Sequence, residues 1–306
     1  MPDPGLSTGA LSGQSAVRSL DLGDVRVTYV PDGAMGVQPS GFFPGVPAWY
    51  WAEHPEALDA RGRVAMSAGG LLVERGDETL LIDAGYGECS GKTATGTGEV
   101  NSGALPGVLK SLGRDPGQIG AVAFTHLHID HTGWAFTPGS GPAFPRARYI
   151  MAAAEWAPYA RGETVKAASG PEVIGQFAAT DLTLIDDGAE VFPGVTALVT
   201  PGHSPGHTSY VITGSTGTRV IALGDIFHIP AQIAHPQWPS LPDFDGEGVL
   251  AARGRLLGEL RRPGTVGFAC HFGDRAFGRI KPDEDGRPGW EPVPAAVLGP
   301  PPRLLD

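Results

Sequence analysis

The chain has 306 residues, 22 of them Lys or Arg and 33 Asp or Glu, which gives a formal charge of −11 and a pI near 5.2. That balance disfavours a nucleic-acid partner, because phosphate binding needs clustered positive charge. Apolar residues make up 41%, no apolar run reaches membrane-spanning length, and the two cysteines, Cys89 and Cys270, form no C-x-x-C pair. A folded globular chain is implied, with neither a disulfide framework nor a thiolate zinc knuckle. The first twenty residues lack the basic and apolar regions of an export signal, so the expected setting is the reducing cytoplasm.

In chain order, residues 1–20 are small and polar and read as a flexible N-terminal tail, residues 21–280 as a single domain, and residues 281–306, with seven prolines, as a Pro-rich C-terminal tail. Strands are predicted at 25–30, 70–73, 79–82, 121–124, 195–200, 210–212, 219–223 and 265–269, from short β-branched and aliphatic runs. Helical patterns fall at 103–112, 152–160, 171–179 and 248–260. This interleaving predicts an α/β layered fold. A long connection, 31–67, holds Phe42, Phe43, Trp49, Tyr50 and Trp51. Such a loop serves either as an apolar wall over a pocket or as a subunit contact in a homodimer, or else is pinned to the core by its own aromatics.

Three of the nine histidines sit in one six-residue window, HLHIDH, as His126, His128 and His131, with Asp130 between the last two. The window directly follows the apolar run AVAF, so it begins at the carboxyl end of a strand, where ligands gather in open α/β sheets. His203 follows VTALVT, Asp225 follows VIALG and His271 follows VGFAC in the same way. Five histidines and two aspartates without a thiolate suit zinc, and also iron, manganese or cobalt. Seven donors are too many for one tetrahedral ion, so two divalent metals are expected. Cys270, next to His271 on a predicted strand, is expected to face the other way as an inert buried thiol.

The ordered segments LLIDAG, HLHIDH, PGHSPGHT, LGDIF and ACHFG resemble the five motifs of the metallo-β-lactamase-fold hydrolases, over roughly residues 25–280. The aromatic loop and GDIFHIPAQ are most similar to the branch of N-acyl homoserine lactonases and methyl parathion hydrolase. The resemblance implies a four-layer αβ/βα sandwich with two metal ions at one edge. His126, His128 and His203 would hold the first ion and Asp130, His131 and His271 the second, with Asp225 bridging. It further implies a hydrolase that directs a metal-bridging hydroxide at a small ester, lactone or phosphotriester-like substrate, with Asp130 relaying a proton to the leaving group.

The lactonases carry a tyrosine a few residues beyond the bridging aspartate. Here that stretch reads Asp225, Ile226, Phe227, His228, and His228 stands where it either donates to the substrate or only lines the pocket. Phe42, Phe43, Trp49, Trp51, Phe227 and Trp238 are the expected pocket walls. Asp83 and His207 are expected to support the ligands from behind. His54 and His235 are read as rim residues. Two other chemistries occur on related ligand sets: oxidation of persulfides at a single iron, and phosphodiester hydrolysis.

Overall fold

In strand Val64–Arg75, Leu71 and Val73 enter one apolar cluster while Leu72, between them, enters another. Leu80 and Ile82 part from Leu81 in the same way, and Val220 and Ala222 from Ile221. Since strand side chains alternate between faces, each of these strands is covered on both sides. The inner cluster joins Val27, Tyr29, Leu71 and Ile82 of one sheet to Ala197, Tyr210, Val220 and Phe268 of the other. Outside the first sheet lie helices Leu105–Ser111 and Pro171–Ala178, and outside the second lies helix Gly246–Leu260. The order of layers is therefore helix, sheet, sheet, helix, as the resemblance implies.

The structure is a computed structural model that describes residues 5–283 and 286–302. Among these, an eleven-stranded sheet runs from Leu6–Ser7 at one edge to Leu182–Ile185 at the other, and the facing sheet has seven strands. Glu78–Ile82, Ala121–Ala123 and Arg148–Ala152 are mutually parallel neighbours in the first sheet. Arg219–Ala222 and Thr265–Phe268 are parallel neighbours in the second. The turns leaving Ile82, Ala123, Ala222 and Phe268 meet at one edge of the sandwich. No described helix is long and apolar enough to cross a membrane.

All eight predicted strands and four predicted helices form, with shifted ends. The expected tails do not hold as tails over the described residues. Val17–Asp21 pairs with Arg26–Val37 on one side and with Ala295–Gly299 on the other. Buried Arg18 grips Asp274 through two hydrogen bonds of 2.6 Å, and Ala295 is fully buried. Residues 1–4, 284–285 and 303–306 of the expected tails lie outside the described residues. The long connection also shortens, because its flanking strands run on through Val37 and begin again at Val64. The strand Arg26–Val37 passes through Pro31 by way of a register shift between Pro31 and Gly33, an irregularity at which a sheet tolerates proline.

Candidate metal centre

Asp225 sits in the turn after Arg219–Ala222, and four of the expected ligands reach its carboxylate directly. Its Oδ2 lies 3.9 Å from His126 Nε2 and 3.5 Å from His203 Nε2. Its Oδ1 lies 3.1 Å from His131 Nε2 and 3.2 Å from His271 Nε2. His128 Nδ1 approaches His203 Nε2 to 3.0 Å, and Asp130 Oδ2 lies 3.5 Å from His271 Nε2 and 3.8 Å from His131 Nε2. The donors thus form two groups that share the Asp225 carboxylate.

Four of the inward-facing rings are held from behind. His131 Nδ1 bonds Asp83 Oδ2 at 2.8 Å, His203 Nδ1 bonds Asp243 Oδ1 at 2.9 Å, and His271 Nδ1 donates to the Ser67 carbonyl at 2.7 Å. His126 Nδ1 meets Thr125 Oγ1 at 2.9 Å, and Thr125 is itself anchored on Asp83 through both its amide and its hydroxyl. Such partners fix the tautomer and aim the other ring nitrogen. Asp83 does so from a positive φ of 63°, a strained conformation at the end of strand Glu78–Ile82. His207 supports the backbone: its Nε2 accepts the Asp225 amide at 3.0 Å while Nδ1 bonds Thr200. The fit beneath Asp225 is close, since a Cβ on Gly224, at φ 58°, would stand 2.3 Å from His207 Nε2.

The histidines of the site and Asp225 are fully buried while Asp130 is partly exposed, and the electrostatics follow from that burial. Desolvation drives the His126, His128 and His207 imidazoles well below their ordinary value, with neighbouring histidines adding to the effect. Burial also opposes charge on His131 and His271, but Asp225 overrides it and raises both. Burial likewise opposes ionisation of Asp225, yet His131, His271 and His228 hold its carboxyl well below the carboxylate range.

The inward nitrogens of His126, His131 and His228 are fully enclosed and make no well-directed hydrogen bond, His131 and His228 standing 3.1 and 3.2 Å from Asp225 oxygens. Buried polar atoms are normally paired. Donors bound to one zinc at about 2.0–2.1 Å stand ~3.3 Å apart in a tetrahedron, and the spacings of 3.0–3.9 Å within the two donor groups bracket such edges. Two cations with a preference for imidazole and carboxylate fit this arrangement.

His228 faces the same space, its Nε2 3.2 Å from Asp225 Oδ2 and its Nδ1 2.9 Å from Ser240 Oγ. Of the expected pocket walls, Phe42 lines the cleft beside Asp130, Asp225 and His228, together with Met35, Tyr86 and Ile129. The others do not. Phe43 and Trp238 are buried in the loop's own cluster, Phe227 is buried under helix Gly246–Leu260, Trp51 borders a separate small cavity behind His271, and Trp49 is 53% exposed. The aromatic loop is thus pinned to the core by its own side chains. Of the expected rim residues, His54 lies within that loop and packs on Tyr50, and His235 packs on Trp238.

Several supporting residues escape the sequence reading. Glu155, 1% exposed, accepts from Leu127 N at 3.0 Å, Ser204 Oγ at 2.6 Å and Gly206 N at 2.8 Å, joining the HLHIDH turn to the PGHSPGHT turn. Gly206 is required there, because a Cβ would meet Glu155 N at 1.9 Å. Asp32 accepts from Tyr86 N, Gly87 N, Leu105 N and Trp134 Nε1. Buried Arg253 donates to the carbonyls of Ile226, Pro236 and Trp238 and so closes the loop after Asp225. The sequence signal for Glu155 is a lone charge inside the apolar stretch 150–160, and Arg253 has none, since it lies in a charged helix. Cys270 contradicts the alternation argument: its Sγ joins His131, Asp225 and His271, with donor atoms all within 4.8 Å of one another.

The family model described as metallo-beta-lactamase superfamily matches residues 70–271, about two thirds of the chain. An N-acyl homoserine lactonase of Bacillus cereus is 37% identical over 165 residues, 54% of this chain and 60% of that protein. One of Bacillus thuringiensis is 30% identical over the same shares. The chain therefore matches about 60% of the length of these curated relatives. Among solved structures, AidC, a dizinc quorum-quenching lactonase in complex with its product N-hexnoyl-L-homoserine, superposes with a TM-score of 0.77 at 20% identity over 93% of this chain and 99% of that one. The hydrolase AbOPH of the beta lactamase superfamily gives 0.75 at 23% over 91% and 98%.

Proposed function

The chain belongs to the metallo-β-lactamase superfamily, and from that premise we propose a dinuclear metal-dependent hydrolase of a lactone or related small ester. The observation that carries this reading is the convergence of enclosed imidazole nitrogens on the two oxygens of Asp225. His126, His128 and His203 would hold one ion, Asp130, His131 and His271 the other, and Asp225 both, with zinc the best match to this donor set. Two such ions supply Lewis-acid charge for a carbonyl oxygen and acidify a water near neutral pH.

The chain's own residues do the rest. Phe42, Met35, Tyr86 and Ile129 receive the apolar part of the substrate and exclude water from beside Asp225. His228, its far nitrogen on Ser240, orients the substrate carbonyl as a hydrogen-bond donor through Nε2. Asp130, at the mouth of the cleft, carries a proton to the departing alkoxide oxygen. Lactone as substrate is supported by the names of the Bacillus relatives. A complete second donor group favours hydrolysis over oxidation at a single iron. The two cysteines are both free, which agrees with a cytoplasmic setting; a homodimer remains part of the proposal only as an assembly the aromatic loop would border.

The test is product analysis with lactones, aryl esters and phosphotriesters. We expect a ring-opened hydroxy acid from the lactones, lost on chelation and restored by zinc. Turnover indifferent to chelators, or oxygen uptake with a persulfide, would overturn the reading.

A further inference from the structure

Cys270 is a buried thiol that the proposed reaction leaves without a role. Strand alternation would turn it away from His271, but strand Thr265–Phe268 ends two residues before it. Through the turn that follows, Cys270 and His271 both face Asp225. The Cys270 Sγ lies 3.9 Å from Asp225 Oδ1, and Tyr29 Oη donates to the Cys270 carbonyl at 3.2 Å, fixing the backbone there. His131 Nε2, in a side chain 1% exposed, makes no well-directed hydrogen bond although it stands 3.1 Å from Asp225 Oδ1, and it belongs to the same group of donors.

We propose that Cys270 is a sulfur donor to the subsite of Asp130, His131, Asp225 and His271, which makes that subsite softer than its three-histidine neighbour. The inference rests on the dinuclear reading and deepens it. A zinc–sulfur bond is about 2.3 Å and a zinc–nitrogen or zinc–oxygen bond about 2.0–2.2 Å, so ligands on one ion stand ~3.5 Å from the sulfur. The 3.9 Å to Asp225 Oδ1 is close to that separation. As a hydrogen bond the same contact is weak, because a thiol is a poor donor. On metal uptake the S–H bond breaks, its proton passes to solvent, and its electron pair forms the sulfur–metal bond; no oxidant or reductant is consumed. Thiolate ligation favours zinc, cadmium and cobalt over manganese or magnesium.

The test is titration of the metal-free full-length chain with Co2+ and, separately, Cd2+. We expect two cobalt equivalents per chain, one of them bringing a sulfur-to-cobalt charge-transfer band in the near ultraviolet. Cys270→Ala and Cys270→Ser should lack the band and should bind one of two cadmium ions about tenfold or more weakly, with the other unchanged. Two cobalt equivalents without the band in the wild-type protein, a measurement that needs no variant, would overturn the sulfur donor and leave the dinuclear reading standing. One equivalent with the band would do the reverse. No cobalt binding would overturn both.

Discussion

Glu155 shows how a residue outside the expected ligand set can decide the geometry of a centre. Its carboxylate is pushed up by burial, and three donors from two motif turns compensate. In Glu155→Gln one acceptor becomes a donor facing an amide or a hydroxyl. The subsite of His126, His128 and His203 should then lose affinity about 10–100-fold, the range for supporting residues of metal sites, while the His131/His271 subsite changes little. A zinc titration by calorimetry reads this directly, and equal weakening of both subsites would contradict it. His207 makes a different demand. Burial first, then His203, hold its imidazole well below 6.5, so the folded protein binds its proton less readily than the unfolded chain. Its contribution to stability is present above that pH and is lost as the pH falls below it. Urea unfolding of the metal-free protein between pH 8 and pH 5.5 should lose more stability in the wild type than in His207→Gln. Identical losses would show that His207 does not stay neutral.

At the scale of elements, two loops border the site and divide the work unevenly. The hairpin of Cys89–Lys92 and Gly98–Ser102 pairs with strand Arg26–Val37 and brings Thr93, Ala94 and Thr95 over the cleft. The aromatic loop packs on itself. Phe43→Ala should therefore cost about 3–5 kcal/mol of stability, as a fully enclosed aromatic does, whereas Ile129→Ala should leave stability less affected and raise KM or shift preference among lactones of different acyl length. Denaturant melts together with steady-state kinetics check the pair, and a specificity change in Phe43→Ala without loss of stability would reverse the assignment. Which loop forms the wall was not legible in the sequence, because aromatic density marks burial as readily as binding. The hairpin, Gly- and Thr-rich, carries no run of alternating hydrophobics to announce it. The ligand strands were legible for the opposite reason: each pairs an apolar run with a His or Asp at its end, and both faces of these strands are buried.

For the whole molecule, the centre ties two sheets together. His126, His128, Asp130 and His131 come from the turn after Ala121–Ala123 of one sheet, and His203, Asp225 and His271 from three turns of the other. Bound ions would hold the two halves of the sandwich at that edge, so binding should appear as stability. At a free zinc concentration of about 1,000 Kd, linkage adds about 4 kcal/mol, which in a chain of this size raises Tm by ~6 °C. A melt insensitive to zinc would contradict the bridging arrangement. The terminal strands were hidden from the sequence reading because their contacts are made at long range: Arg18 meets Asp274, and Val17–Asp21 pairs with Ala295–Gly299, so neither end looks ordered until the other is in place.

The central claim is that Asp225 joins two metal subsites that act together on a lactone. Its most direct measurement is lactone hydrolysis by the metal-free chain as zinc is added stepwise under tight-binding conditions. The arrangement predicts that full activity requires the second equivalent and that Asp225→Ala removes it. Full activity at a single equivalent, or an Asp225→Ala variant as active as the wild type, would contradict the account.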